Sequence, residues 1–162
     1  MRLVAVFTCI AALGVSGCGG ASTGVGSVPT GFNPGVPGNA ANPFPAFGVS
    51  VNAYRAPTVN PLAYNVKLHG AAQTHANDMS TNGFFSHTGS DGSQPWDRVS
   101  AQGYSWGWVG ENIAQGQGSA DAALTAWKNS PGHDAILLSS RPTEFALAWA
   151  SGNYWVMVLA RH

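Results

Sequence analysis

Three side chains in this chain combine the types that metal binding or proton transfer needs: His87 in "GFFSHTGSDG", Glu111 in "GENI" and His133 in "SPGH". A neutral imidazole is a good ligand for zinc, and a nearby carboxylate either adds an oxygen ligand or orients the ring through its N–H. His87 and His133 are therefore the candidate metal ligands, with zinc as the candidate cofactor, and Glu111 is the candidate general base. Their spacing is not a compact signature such as HExxH, so the fold must bring them together. Other chemistries lack their parts. No G-x-S-x-G occurs, the two cysteines are Cys9 and Cys18, and Ser86 beside His87 has no geometry implied by adjacency, so no nucleophile for hydrolysis stands out. "GSDGS" (residues 89–93) holds one aspartate, too few for a calcium cage, and reads as a Gly-rich turn. His69 and His75 stand six apart, about 120° around a helix, and share no face; His75 is expected toward the core, hydrogen-bonded to a neighbour. Trp106 and Trp108 precede Glu111 and are candidates to line a cleft.

The elements that must position these residues follow from pattern. Asn65 can cap a helix over 66–82, whose Leu68, Ala72, Ala76 and Met79 recur at helical spacing and which Gly83 ends. A shorter helix is expected around 50–55. Pro95 opens another that Gly103 stops, and Ser119 caps a fourth, with Leu124 and Trp127 on one side. Ser130 is placed to cap a fifth, with Pro131 in its first turn. "TEFALAWASGNYWVMVLA" differs from all of these: two apolar runs flank Ser-Gly-Asn, the pattern of an antiparallel hairpin. Trp96, Trp127, Trp149 and Trp155 fall at apolar positions and are expected in the core. Helices first and strands last give an α+β fold, helices packed on a small antiparallel sheet.

The first third of the sequence is organised differently. No Lys, Arg, Asp or Glu lies between Arg2 and Arg55, net charge is zero, and charged residues make up 9% against about 25% in ordinary domains. A basic surface for nucleic acid is absent. Residues 1–17 carry Arg2, an apolar run and small residues before Cys18, the pattern of a cleaved secretory leader, too short for a mature membrane span. Val-Ser-Gly-Cys resembles the lipobox of bacterial lipoproteins, in which the cysteine, here Cys18, receives a lipid. Residues 18–47, rich in Gly, Pro and Asn, read as a tether with an end-to-end distance of about 30 Å. The domain is then 48–162.

Six fragments, "VNAYRA", "NPLAYNVKLHGAAQTHANDM", "GFFSHTGSDGSQPWDRV", "GENIAQG", "AWKNSPGHDAIL" and "TEFALAWASGNYWVMV", resemble in this order the bacterial branch of the CAP superfamily, also called the SCP domain. The resemblance implies an α-β-α sandwich, secretion, and a cleft of two histidines and two glutamates that holds a divalent metal in some members. His87, Glu111 and His133 match three of the four. Ser130 stands where the second glutamate is expected, three residues after Trp127. Asp134 and Ile136 replace the bacterial "RxN", Val156 and Met157 replace a "TQ", and Ala146 and Ala148 replace two strand glycines, changes that favour packing over chemistry. The ligand cleft expected is thus His87, Glu111, Ser130 and His133 with Trp106 and Trp108. The sequence favours a non-enzymatic, extracytoplasmic module held to the membrane through Cys18, with a small apolar ligand, an envelope component or a protein as partner. A metal-dependent hydrolase of peptides or cell-wall material is the alternative.

Overall fold

The computed structural model describes residues 3–6, as backbone only, and 41–162. The cleavage point at Cys18 and the tether up to residue 40 lie outside the described residues. Ten elements follow one another: β1 (Leu3–Val6), α1 (Pro45–Arg55), β2 (Ala63–Tyr64), α2 (Val66–Asn82), α3 (Pro95–Ala101), β3 (Trp108–Gln115), α4 (Ala120–Lys128), α5 (Pro131–Leu137), β4 (Glu144–Ala150) and β5 (Tyr154–Arg161).

The strands form one sheet in the order β1-β3-β5-β4-β2. The three central strands are antiparallel, and the two short outer ones pair in parallel with their neighbours. The sheet is therefore mixed rather than purely antiparallel, because β1 and β2 arrive from outside the hairpin and no tight turn dictates their direction. Helices cover both faces, giving the α-β-α sandwich. On one face α2 and α3 pack against Val109, Ile113, Ala146, Ala148, Val156 and Val158. On the other α1, α4 and α5 pack against Trp108, Leu147, Trp155, Met157 and Leu159. Among the described residues, the buried hydrophobic side chains of both layers fall between Phe47 and Ala160.

Local chemistry sets most boundaries. The Asn65 side chain accepts the Lys67 N–H at 2.9 Å, and Gly83 ends α2 at φ 67°, its N–H on the Met79 carbonyl. Such a cap is worth about 1 kcal/mol, and a left-handed C′ residue is least strained as glycine. Ser119 accepts the Ala122 N–H at 3.2 Å to open α4, and Gln94 donates its N–H to Asp97 Oδ2 at 3.0 Å at the start of α3. The hairpin turns through Gly152 and Asn153, both at positive φ. Ala71, Ala72 and Ala76 of α2 meet Ala146, Ala148 and Ala150 of β4 in one cluster, so the alanines replacing family glycines still let the helix lie close.

Four expectations need correction. Helix α1 starts at Pro45, and Phe47 is 2% exposed inside the second layer, so the domain takes in the last residues assigned to the tether. Ser130 occupies the N-cap of α5 without a side-chain cap bond; its hydroxyl is used elsewhere. Residues 108–115, to which the sequence pattern assigned no element, are a full strand; seven of the eight residues are buried, and strand alternation is masked when both faces are covered. Trp96 and Trp149 are only partly buried, whereas Trp127 and Trp155 are core.

Candidate functional site

Alternation along β3 sends Val109, Glu111 and Ile113 toward the α2–α3 layer, and Trp108 and Ala114 toward the other. Glu111 is thus a carboxylate in a hydrophobic layer, 0% exposed. Three side chains meet it there. His87, in the loop that Gly83 turns back onto the core, donates Nδ1–H to Glu111 Oε1 at 2.8 Å. Arg98 of α3 donates Nη2–H to Glu111 Oε2 at 2.9 Å and to the His87 carbonyl at 3.0 Å. Its Nη1 reaches the Ser93 carbonyl at 2.8 Å. His75 of α2 donates Nε2–H to the Ser86 carbonyl at 2.7 Å and stands 3.9 Å from Glu111 Oε1. The result is a closed circuit: Arg98 grips both the carboxylate and the backbone of the histidine that the carboxylate holds.

The charges in this circuit are fixed by their neighbours. Burial alone would push the Glu111 pKa up, but the His87 hydrogen bond and the Arg98 charge, with smaller help from His75 and His87, hold it below the ordinary carboxylate value. His75 moves down, because burial outweighs the pull of Glu111, while Arg98 opposes its protonation. Glu111 is therefore an ionised acceptor with each oxygen already engaged.

His133 is anchored in the opposite layer. Its carbonyl accepts Asn112 Nδ2 at 3.1 Å, and its Nδ1 meets Ser130 Oγ at 3.0 Å. Asn112 directly follows Glu111 in β3 and so points the other way. The structure brings His87 and Glu111 together but does not assemble the expected metal set: among the described residues, no group of three or more His, Cys, Asp or Glu side chains is arranged to hold an ion. The donor chemistry agrees, because Glu111 faces N–H donors on both oxygens and the second glutamate position is Ser130. Glu111 is thus an engaged acceptor rather than an open metal ligand, and its bond to Nδ1 orients the His87 ring. Trp106 and Trp108 do not line one cleft either; Trp106 packs on the first layer with Nε1 on Ser100 Oγ at 2.9 Å, and Trp108 is 2% exposed in the second.

Beside the circuit lies a hollow of about 430 Å³. His75 and Arg98 form its inner wall, and Thr74, Asp78, Ser90, Asp91, Ser93, Asp97 and Gln102 line the rest. Asp78 accepts the Ser90 N–H at 2.8 Å and the Asn82 amide at 2.7 Å, and Asp91 accepts the Ser93 N–H at 2.8 Å. These bonds hold both carboxyls below their ordinary pKa, against the effect of burial. The "GSDGS" segment is the turn expected, closed by Gly89 N–H on the Ser93 carbonyl at 2.8 Å. Most of these side chains are polar and three are carboxyls, while the surface they present to the hollow is largely carbon.

Sequence reasoning missed Arg98 and saw His75 only as a core residue. The signal for both was weak but present: a charged residue in a chain this poor in charge, and a histidine on the buried side of an otherwise apolar helix face.

A family model described as cysteine-rich secretory protein family, CAP, matches residues 50–159. YkwD of Bacillus subtilis is 31% identical over 98 residues, covering 60% of this chain and 38% of that protein. The membrane protein YlbC of the same organism is 34% identical over 73 residues, covering 45% and 21%. The chain thus spans well under half the length of these relatives. Among solved structures, an extracellular protein containing an SCP domain from Bacillus anthracis superposes with TM-score 0.70 at 26% identity, over 73% of this chain and 40% of that one. An outer surface protein from Borrelia burgdorferi superposes with TM-score 0.67 at 19% identity, over 74% and 92%. The sandwich, the order of its elements and the matched residues lead to one conclusion: the chain belongs to the CAP family.

Proposed function

We propose that this CAP domain is a non-enzymatic binding module of the bacterial cell envelope, tethered outside the cytoplasm through a lipid on Cys18. It takes an envelope component through the hollow beside Arg98 and His75. The observation that carries the reading is Glu111: fully buried, ionised, and bonded through both oxygens to Arg98 and His87. A general base needs an oxygen that faces substrate or water and a pKa near the working pH. Glu111 has neither, and its chemistry is that of a tie between α3, the His87 loop and the sheet. The three aspartates among the lining residues, Asp78, Asp91 and Asp97, favour a ligand that carries ammonium or hydroxyl groups beside an apolar face. The extracellular and outer-surface descriptions of the structurally similar proteins support the location. Among the described residues no helix is long and apolar enough to cross a membrane.

The test is co-sedimentation of the purified protein with cell-wall sacculi, native or with amines acetylated, alongside an assay for soluble wall fragments. Binding to native walls that weakens after acetylation, with no fragments released whether zinc is supplied or chelated, is the expected outcome. Fragment release that disappears in His87→Ala and Glu111→Gln would establish the hydrolase instead. Labelled palmitate incorporation, lost in Cys18→Ala, tests the anchor.

A further inference from the structure

The outer edge of β3 has a neighbour that the mature protein is not expected to keep. β1 pairs with it in parallel, Leu3 opposite Trp108, Val4 opposite Val109, Ala5 opposite Gly110 and Val6 opposite Glu111. Those four residues belong to the leader read as cleaved before Cys18. Its removal leaves the four residues it covered, Trp108–Glu111, without a strand partner on that side. Edge strands are ordinarily blunted by lysine, proline, a bulge or brevity. Over Trp108–Glu111 β3 has none of these: its sequence there is WVGE and its register with β5 is one-to-one, whereas farther along the Trp127 indole N–H caps the Ile113 carbonyl at 3.0 Å.

The geometry points to the β3 edge as a strand-docking site that, in the processed protein, takes an extended apolar segment from a partner by adding a parallel strand. The chemistry of the occupant follows from what the edge already accepts: four uncharged residues, two of them β-branched, in the sequence Leu-Val-Ala-Val. Main-chain hydrogen bonds supply the affinity, and a proline within the segment removes a donor and cannot serve. The site is remote in chemistry from the hollow and needs none of its residues.

This inference rests on the leader removal proposed above, and the test separates the two. The probe is a dye-labelled peptide of residues 2–7, Arg-Leu-Val-Ala-Val-Phe, capped at both ends, with a Val4→Pro peptide as control. It is titrated onto the chain beginning at Cys18, which retains every described core residue, and onto the chain beginning at Met1. Expected are saturable binding to the first at or below about 1 mM, weakening by about tenfold or more with the proline peptide, and no binding to the second. Hydrogen exchange at Val109–Glu111 should slow about tenfold or more on peptide addition. Equal binding of both peptides, or none, overturns the docking. So does protection of β3 without peptide, whether from a concentration-dependent dimer pairing two β3 edges or from the tether folding back. A chain that keeps Met1 in cells, read by intact mass, overturns the proposal through the leader instead.

Discussion

Replacing Glu111 by glutamine keeps the side chain's shape and removes only its charge, which makes it the sharpest perturbation of the buried circuit. The glutamine oxygen can still accept from Arg98, and its amide can face His87 if that ring shifts its proton to Nε2. Arg98, 6% exposed, then becomes a buried cation without a counter-charge. Breaking a buried pair in this way costs about 3–5 kcal/mol. The contacts that Arg98 keeps with the Ser93 and His87 carbonyls place the expectation at the lower end, about 3 kcal/mol, a large share of the 5–15 kcal/mol that domains possess. Arg98→Met leaves the opposite charge stranded and should cost about as much. The double variant strands neither, so the losses should fall short of additivity by about 2–3 kcal/mol. Urea unfolding followed by tryptophan fluorescence reads these as shifts in midpoint at constant slope. Single variants within about 0.5 kcal/mol of the parent, or losses that add in the double, would refute the idea that the circuit holds the layer together.

Acid should weaken the fold in two stages. His69 and His75 have pKa values lowered mainly by burial, so the unfolded state binds protons first, and stability declines as pH falls below about 6.5, each histidine contributing at most about 1.4 kcal/mol per pH unit. Glu111, Asp78 and Asp91 also have lowered values; their stabilisation is complete above the ordinary carboxylate range and lost as pH drops through the depressed folded values. Urea midpoints across pH 3–8 check both stages, and a midpoint that rises on acidification contradicts them. Gly110→Ala would place a Cβ 2.5 Å from the Trp108 ring and 3.2 Å from Ile136, an overpacking expected to cost about 1–3 kcal/mol, measurable by thermal unfolding.

How much was legible in the sequence differs by element. The four helices from residue 66 onward were readable because their caps are local: Asn65, Pro95, Ser119 and Pro131 declare the starts, and Gly83 and Gly103 the ends. The hairpin was readable from its turn. β3 was not, since burial on both faces erases the period of two that marks a strand. That omission carried into the site. Without β3 as a strand, nothing showed that Glu111 and Asn112 face opposite layers, or that the His133 carbonyl is held by Asn112. Arg98 became visible only once α3 had been laid against the sheet. The pairing of His87 with Glu111 was expected from the two residue types and is the part of the site that the fold does assemble.

The state of Glu111 can be read directly from the ¹³C chemical shift of its carboxyl carbon, followed from pH 3 to pH 8 in the selectively labelled protein. An ionised tie requires a shift that stays at the carboxylate value through neutral pH and moves, if the protein remains folded, only below the ordinary carboxylate range. A carboxyl that titrates near pH 6 to 7 would be a group poised to exchange protons, and would contradict the reading of this site as a binding module's framework.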